Sequence, residues 1–118
     1  MDANLFSRIE VTMRKKLAPI IHDNRPPLII GHRGVAGHAP ENTIESIKKA
    51  YELGVRWVEL DVKLSRDGVP ILFHDDHLER TTNGYGEIAN HDLLKLKHLD
   101  AGSWFKSEYK HVTIPTLQ

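Results

Sequence analysis

The chain contains no cysteine. Disulfide frameworks and thiolate metal sites are therefore excluded, and the usual indicator of redox compartment is missing. An excess of charge of one sign is also missing, since sixteen basic residues balance sixteen acidic ones among the 118 residues. Such a chain has no strong overall field for nucleic acid or anionic lipid, so any function based on charge must be local.

Long hydrophobic runs are absent as well. The longest, such as Leu17–Ile21, are far below the roughly 20 residues of a membrane helix, so no transmembrane segment is expected. The pattern of a secretory signal is not seen either, because Asp2 stands where such a signal carries positive charge and no apolar stretch with a cleavage site follows. We expect a cytoplasmic protein, and 40% hydrophobic residues are enough for one globular core.

Residues 1–27 are expected to form an amphipathic helical extension at the N-terminus. Between Asn4 and His22 the apolar residues recur at spacings of three and four, which is typical of such a helix. Basic residues lie off this apolar stripe. A basic helix on a membrane surface would fit that pattern, but a helix packed on the domain with a solvated basic face fits it better.

From Leu28 onward the pattern is that of an α/β domain with a parallel sheet. Leu28–Ile30 is a short apolar run typical of a buried strand. A helix is expected to follow, because Asn42 and Glu45 have capping-box spacing and Gly54 can end the helix in a left-handed conformation.

Two further strands are predicted after this helix. Val55–Leu64 alternates apolar and polar residues, so it reads as one strand with two faces. The segment from Val69 to Phe73 reads as a third strand that ends at His74, and the spacing between the two resembles that of a hairpin.

Two carboxylates lie on the polar face of the second predicted strand. Glu59 and Asp61 are two residues apart, so they project from the same face with Cα atoms roughly 6–7 Å apart. This is close enough for both to bind one hard cation. A solvated face of an edge strand is the simpler explanation of the pair taken by itself.

Other polar residues follow the neighbouring strands. His32 and Arg33 come directly after the first strand, and His74 and Asp75 come after the third. The carboxyl ends of parallel strands meet at one edge of a sheet, where α/β barrels place their active sites. Two histidines beside paired carboxylates could supply a general acid and a general base, and a guanidinium could bind a phosphate oxygen.

These residues lie in a series of ordered motifs that resembles the N-terminal portion of the glycerophosphodiester phosphodiesterase family. The resemblance runs from Leu28 to the end of the chain, and several motifs at the family's spacing make it specific. The motifs are His32-Arg33-Gly34, Pro40-Glu41-Asn42-Thr43, Glu59-Leu60-Asp61-Val62, Asp67-Gly68-Val69-Pro70, His74-Asp75, Arg80-Thr81-Thr82-Asn83-Gly84 and Leu99-Asp100-Ala101-Gly102.

The resemblance implies a TIM-type (β/α)8 barrel. Residues 28–118 would be the first part of that barrel, and residues 75–113 would be the family's small insertion, which we call the insertion segment. The implied reaction, part of lipid and glycerol metabolism, is hydrolysis of a glycerophosphodiester to glycerol 3-phosphate and an alcohol by metal-assisted acid/base catalysis. The headgroup alcohol is not indicated, and a phospholipase D-like toxin of similar fold is a further alternative.

The resemblance also assigns roles to the residues at the sheet edge. His32 and His74 resemble the acid/base pair, although which is the acid is left open. Arg33 resembles a phosphate contact, and Glu59 and Asp61 resemble metal ligands. Oxygen ligands favour Mg²⁺ or Ca²⁺, with Mn²⁺ as a further choice.

Two more acidic residues are expected to support this site. Glu41 lies at a predicted helix start, where a negative charge is favourable, and the resemblance adds a contact near the metal. Asp75 is expected to orient His74 or a loop amide.

A complete barrel needs roughly 250 residues. The resemblance implies a third carboxylate and a lysine from later strands, which this sequence does not contain. We therefore expect the N-terminal portion of a longer enzyme, inactive by itself, whose open edges are covered by the remaining barrel or an oligomeric partner. The alternative is a non-catalytic partial-barrel module that binds metal or phosphate, or assembles with a partner chain.

Overall fold

The computed structural model describes residues 28–117, so the expected helix in the N-terminal extension lies outside the described residues. No helix among the described residues is long and apolar enough to cross a membrane. The regular elements are β1 (Ile30–His32), α1 (Ile44–Glu52), β2 (Trp57–Glu59), β3 (Val62–Leu64), β4 (Pro70–Leu72) and α2 (Leu93–Leu96), with 3₁₀ helices at Ile88–Asn90 and Ser107–Tyr109.

The first three elements form the expected strand–helix–strand unit, but the predicted buried strand over Leu28–Ile30 is wrong. β1 begins only at Ile30, and Leu28, Ile29 and Ile30 are exposed, because among the described residues β1 pairs only with β2. β1 and β2 pair in parallel, with His32 opposite Glu59 in the register. Buried Ile47 and Ala50 of α1 pack with Val58 of β2 and Leu72 of β4 in one hydrophobic cluster. This packing fixes the helix on the sheet and sets the edge at which β1 and β2 end.

The N-terminus of α1 differs from the sequence expectation. Thr43 is the N-cap residue, and its Oγ1 accepts a hydrogen bond from the Ser46 N–H at 3.2 Å. The predicted cap at Asn42 is wrong, because Asn42 has a φ of 56° and its side chain bonds Asp61. The C-terminal prediction is confirmed, since Gly54 follows the helix with a φ of 84°.

The predicted continuous strand over Val55–Leu64 is wrong, because it divides into β2 and β3, which belong to different strand pairs. The backbone N–H of Asp61 donates to the Asn42 side chain, and the Asp61 carbonyl accepts from Phe73 N. These bonds direct the backbone at residue 61 away from the parallel ladder.

β3 and β4 pair antiparallel, as the hairpin-like spacing suggested. The third strand therefore does not lie parallel beside the second, and His74 reaches the site from an antiparallel strand. Successive residues of β4 enter two cores: Leu72 packs under α1, and Ile71 packs under the insertion segment. The second core contains Ile71, Phe73, Leu78, Ile88, Leu96, Ala101 and Ile114.

Candidate active site

The parallel pair brings the first histidine and the first carboxylate together. His32 and Glu59 are register partners at the ends of β1 and β2, and His32 Nε2 lies 3.8 Å from Glu59 Oε2. Both side chains are solvent-exposed, with 69% and 44% of their surface accessible. They are therefore open to a molecule bound at this edge of the sheet.

Arg33 follows β1 in an unusual backbone conformation. Its φ of 54° lies in the left-handed region, which costs a non-glycine residue about 1–3 kcal/mol unless the surroundings hold it. Here the Arg33 N–H donates to Glu59 Oε2 at 3.2 Å. The Arg33 carbonyl accepts from Asn42 N and from Ser46 Oγ, each at 3.0 Å. These bonds hold the turn that directs the guanidinium inward.

The turn also requires a glycine after Arg33. Gly34 has a φ of 85°, and an added Cβ would overlap both the side chain and the backbone of Ser46. A residue with a side chain would therefore separate this turn from the start of α1.

The Arg33 guanidinium lies between two carboxylates. Its Nη1 donates to Glu41 Oε1 at 3.1 Å, and its Nε lies 3.3 Å from Asp61 Oδ2. That Nε is buried and has no hydrogen-bond partner among the described residues. Asp61 Oδ2 instead accepts from Asn42 Nδ2 at 3.0 Å, so Asn42 and Arg33 together fix the Asp61 side chain.

His74 is oriented by its neighbour, as expected. Its Nδ1 lies 2.7 Å from Asp75 Oδ1. An ionised carboxylate only accepts hydrogen bonds, so Nδ1 must carry the proton of this contact. The neutral ring is then left with an unprotonated Nε2, which is the nitrogen available to a bound molecule.

Arg80 of the insertion segment binds both supporting acidic residues. Its Nε and Nη2 donate to the Asp75 carboxylate at 2.8 and 2.9 Å. Its Nη1 and Nη2 donate to the Glu41 carboxylate at 3.1 and 2.7 Å. Glu41 thus accepts from two guanidiniums, those of Arg33 and Arg80.

These contacts keep both acidic groups ionised. Burial by itself would raise the pKa of the Glu41 carboxyl, but hydrogen bonds and charge from Arg80 and Arg33 outweigh it and lower the pKa. Hydrogen bonding from Arg80, with a smaller contribution from His74, lowers the pKa of Asp75 far below its usual range despite partial burial. The negative charges that organise this side of the site are therefore present at neutral pH.

The structure brings the seven predicted residues into two connected groups. The first is His32 with Glu59, and the second links Asp61, Arg33, Glu41, Asp75 and His74 through side-chain contacts and Arg80. The Arg33 backbone N–H joins the first group to the second. Sequence reasoning assigned no role to Arg80 and gave Asn42 the wrong one.

Two carboxylates of the site have the chemistry of metal ligands. Glu59 and Asp61 supply hard oxygen donors with partial solvent access, which suit a divalent cation of the Mg²⁺ or Ca²⁺ type. Within residues 28–117, however, no group of three or more histidine or acidic side chains is arranged to hold a metal. Glu59 and Asp61 would therefore supply only part of the ligand set of such an ion.

The comparison with known proteins gives a consistent result. Residues 32–118 match the model of the glycerophosphoryl diester phosphodiesterase family. A glycerophosphodiester phosphodiesterase of Bacillus subtilis is 41% identical over 99 residues, covering 77% of this chain and 34% of that protein. One from Caldanaerobacter subterraneus is 46% identical over 90 residues, covering 76% and 37%. The chain thus spans about a third of the length of these relatives.

Solved structures give the same relationship. A phosphodiesterase of Oleispira antarctica, solved in complex with the product sn-glycerol-3-phosphate, is 56% identical with a TM-score of 0.76, covering 77% of this chain and 37% of that one. A glycerophosphodiester phosphodiesterase of Agrobacterium tumefaciens is 41% identical with a TM-score of 0.73, covering 75% and 38%. These structures are TIM-barrel enzymes, so the predicted fold class is confirmed and the described residues correspond to part of such a barrel.

Proposed function

Because the chain belongs to the glycerophosphoryl diester phosphodiesterase family, we propose that it forms part of the active site of an enzyme that hydrolyses glycerophosphodiesters to glycerol 3-phosphate and an alcohol. In this proposal it is the N-terminal portion of a longer enzyme. The observation that carries the proposal is the network of contacts that links His74, Arg33 and Asp61 through Asp75, Arg80 and Glu41, and that the Arg33 N–H joins to Glu59 and His32. The Oleispira relative, solved with sn-glycerol-3-phosphate, supports the same product.

His32 and His74 are the proposed acid and base. His74 is held through Nδ1 by Asp75, so its Nε2 is the nitrogen that exchanges a proton with substrate. His32 lies next to Glu59. A histidine pKa near 6.5 suits proton transfer in both directions near neutral pH. One ring would protonate the leaving alcohol oxygen while the other accepts a proton from the attacking group.

Arg33 is the proposed phosphate contact. A phosphodiester is anionic, and a guanidinium binds phosphate oxygens with paired hydrogen bonds. Within residues 28–117 the Arg33 guanidinium donates one hydrogen bond, from Nη1 to Glu41 Oε1, so further N–H groups are left to donate to phosphate. Glu41 and Asp61 hold this side chain on either side. Substrate binding would therefore cost little conformational entropy at the Arg33 side chain.

Glu59 and Asp61 are the proposed protein ligands of a divalent cation, with Mg²⁺ or Ca²⁺ preferred and Mn²⁺ as a further choice. When bound, such an ion supplies positive charge to phosphoryl oxygens and stabilises the charge that develops during hydrolysis. Asn42 would keep Asp61 in place for this role through two hydrogen bonds. The cytoplasmic location and the need for a partner to cover open edges stay predictions.

The test is an assay of the protein at its natural length, established from its intact mass. It would be incubated with glycerophosphocholine and Mg²⁺ or Ca²⁺, and glycerol 3-phosphate would be measured with a coupled dehydrogenase. We expect release that a chelator stops and added metal restores, with no release by the 118 residues alone. If the folded natural protein releases no product from any glycerophosphodiester tried, the non-catalytic module becomes the better explanation.

A further inference from the structure

Arg80 occupies a central position that the proposed chemistry does not use directly. It lies in the insertion segment and donates four hydrogen bonds, two to each of Glu41 and Asp75. The Glu41 side chain is only 9% exposed. Two ionised carboxylates facing each other here would repel and lose solvation, so a cation between them is needed to keep both in place.

Through Glu41, Arg80 acts on the proposed phosphate contact. Glu41 Oε1 accepts from Arg80 Nη2 at 2.7 Å and from Arg33 Nη1 at 3.1 Å. Two guanidiniums therefore compete for one carboxylate. Removing Arg80 would leave Glu41 to pair with Arg33 alone, which would strengthen that pair and withdraw Arg33 from a phosphate ligand.

Through Asp75, the same guanidinium acts on the proposed acid/base residue. Arg80 binds both oxygens of Asp75, and the oxygen Oδ1 also contacts His74 Nδ1. This arrangement fixes the carboxylate plane and hence the direction of the imidazole. A lysine could not reproduce it, because one ammonium lacks the planar, forked geometry that serves both carboxylates.

We infer that Arg80 is a positioning residue, through which the insertion segment sets Arg33 for phosphate binding and His74 for proton transfer. The inference rests on the proposed function for its catalytic consequence. The contacts themselves make a structural prediction that is independent of catalysis: by fixing the Asp75 carboxylate, Arg80 holds His74 in the tautomer with its proton on Nδ1.

The experiment compares Arg80→Gln and Arg80→Lys with Arg66→Gln in the natural protein. Arg66 is a matched control because it also makes a bidentate pair, with Asp92 at 2.8 Å for each bond, but contacts none of the proposed site residues. Steady-state kcat and KM are measured with glycerophosphocholine. In parallel, the tautomer of His74 is read from ¹⁵N shifts of labelled imidazole at a pH where the ring is neutral, with assignment by His74→Gln.

For Arg80→Gln we expect kcat to fall at least about tenfold and KM to rise several-fold, since both catalytic orientation and phosphate binding are affected. Arg80→Lys, which keeps the positive charge but not the forked geometry, should recover only part of the loss in kcat. The His74 ring should shift toward the tautomer with its proton on Nε2 in Arg80→Gln, and Arg66→Gln should match the unmodified protein in all three measurements.

Three results would overturn the inference. The first is Arg80→Gln with kcat and KM within about twofold of the unmodified protein. The second is an equal loss in Arg66→Gln. The third is an unchanged His74 tautomer in Arg80→Gln. This result overturns the inference even if the natural protein hydrolyses no glycerophosphodiester and the proposed function fails. If Arg80→Gln does not fold, Arg80→Lys is read by the same measurements.

Discussion

Asn42 and Asp61 are joined by a reciprocal pair of hydrogen bonds. Asn42 Nδ2 donates to Asp61 Oδ2, and the Asp61 backbone N–H donates to Asn42 Oδ1, each at 3.0 Å. The pair ties the loop before α1 to the point where β2 ends. Asn42, which the sequence pattern predicted to be a helix cap, thus holds the Asp61 carboxylate of the site in place.

Substitutions at Asn42 and Thr43 should therefore separate stability from function. Thr43→Ala removes the cap hydroxyl of α1 and should lower the free energy of unfolding by about 1 kcal/mol with activity retained. Asn42→Gly keeps the left-handed backbone but removes the side-chain hydrogen bonds to Asp61. Activity and metal affinity should therefore fall, with a smaller effect on the free energy of unfolding. Urea unfolding and the glycerol 3-phosphate assay measure the two effects. Thr43→Ser, which keeps the hydroxyl, is the control, and equal activity losses at both positions would contradict this division.

The carboxylate pair gives a direct prediction about metal. Glu59→Gln or Asp61→Asn removes one proposed charged ligand and should weaken divalent cation binding by at least about 100-fold, since loss of a residue that only supports a ligand already weakens metal binding by about 10- to 100-fold. Calorimetric titration with Mg²⁺ and Mn²⁺ measures this affinity in the natural protein. Glu52→Gln changes a carboxylate on α1 that pairs with Lys49 and should leave affinity unchanged. Unaltered divalent cation binding in both site variants would exclude Glu59 and Asp61 as metal ligands.

The two histidines should affect turnover more than binding. His32→Ala and His74→Ala each remove a proposed proton-transfer group, so kcat should fall by about 10²- to 10⁴-fold with a much smaller change in KM. His98→Ala is a suitable control, because His98 contacts the Leu94 carbonyl in α2. Normal turnover in either site variant would exclude that histidine from the mechanism.

The acidic residues held by Arg80 predict acid sensitivity. The pKa of Asp75 is lowered in the folded protein, so its contribution to stability is present above the unfolded pKa of about 3.8 and is lost as pH falls below it. The free energy of unfolding should therefore decrease from about pH 5 toward pH 2.

Asp75→Asn tests this, because it removes one group that takes up a proton on unfolding. The slope of stability against pH should then flatten by up to about 1.4 kcal/mol per pH unit in this range. Urea unfolding at a series of pH values measures the slope. Parallel curves for Asp75→Asn and the unmodified protein would show that the pKa of Asp75 is not lowered by folding.

The parts of the fold that depend on local pattern could be predicted from the sequence. The end of α1 follows from the left-handed glycine Gly54 just after it, whereas the apolar run Leu28–Ile30 indicated a first strand but neither its bounds nor its exposure. The convergence of His32, Arg33 and Glu59 follows from the rule that parallel strands end at one edge. The helix end depends on residues close together in the chain, and the convergence depends on the parallel pairing of β1 and β2.

The remaining features depend on contacts that periodicity does not encode. The alternation of Val58, Leu60 and Val62 gives no sign of the break at residue 61. That break is made by hydrogen bonds with Asn42, which lies nineteen residues away in the chain. Arg80 and Glu41 are separated by 39 residues. Which carboxylate a flexible guanidinium reaches is decided by the packing of the insertion segment, which the motif around Arg80 did not reveal.

The position of β4 between the two hydrophobic cores has a consequence for protein engineering. Ile71 belongs to the core of the insertion segment and Leu72 to the core under α1. The insertion segment therefore cannot be exchanged between relatives at its sequence boundaries, because its core includes a residue of β4. A chimera that transplants residues 75–113 without β4 would join mismatched halves of one core, and one that includes β4 would place a foreign residue at position 72 in the core under α1.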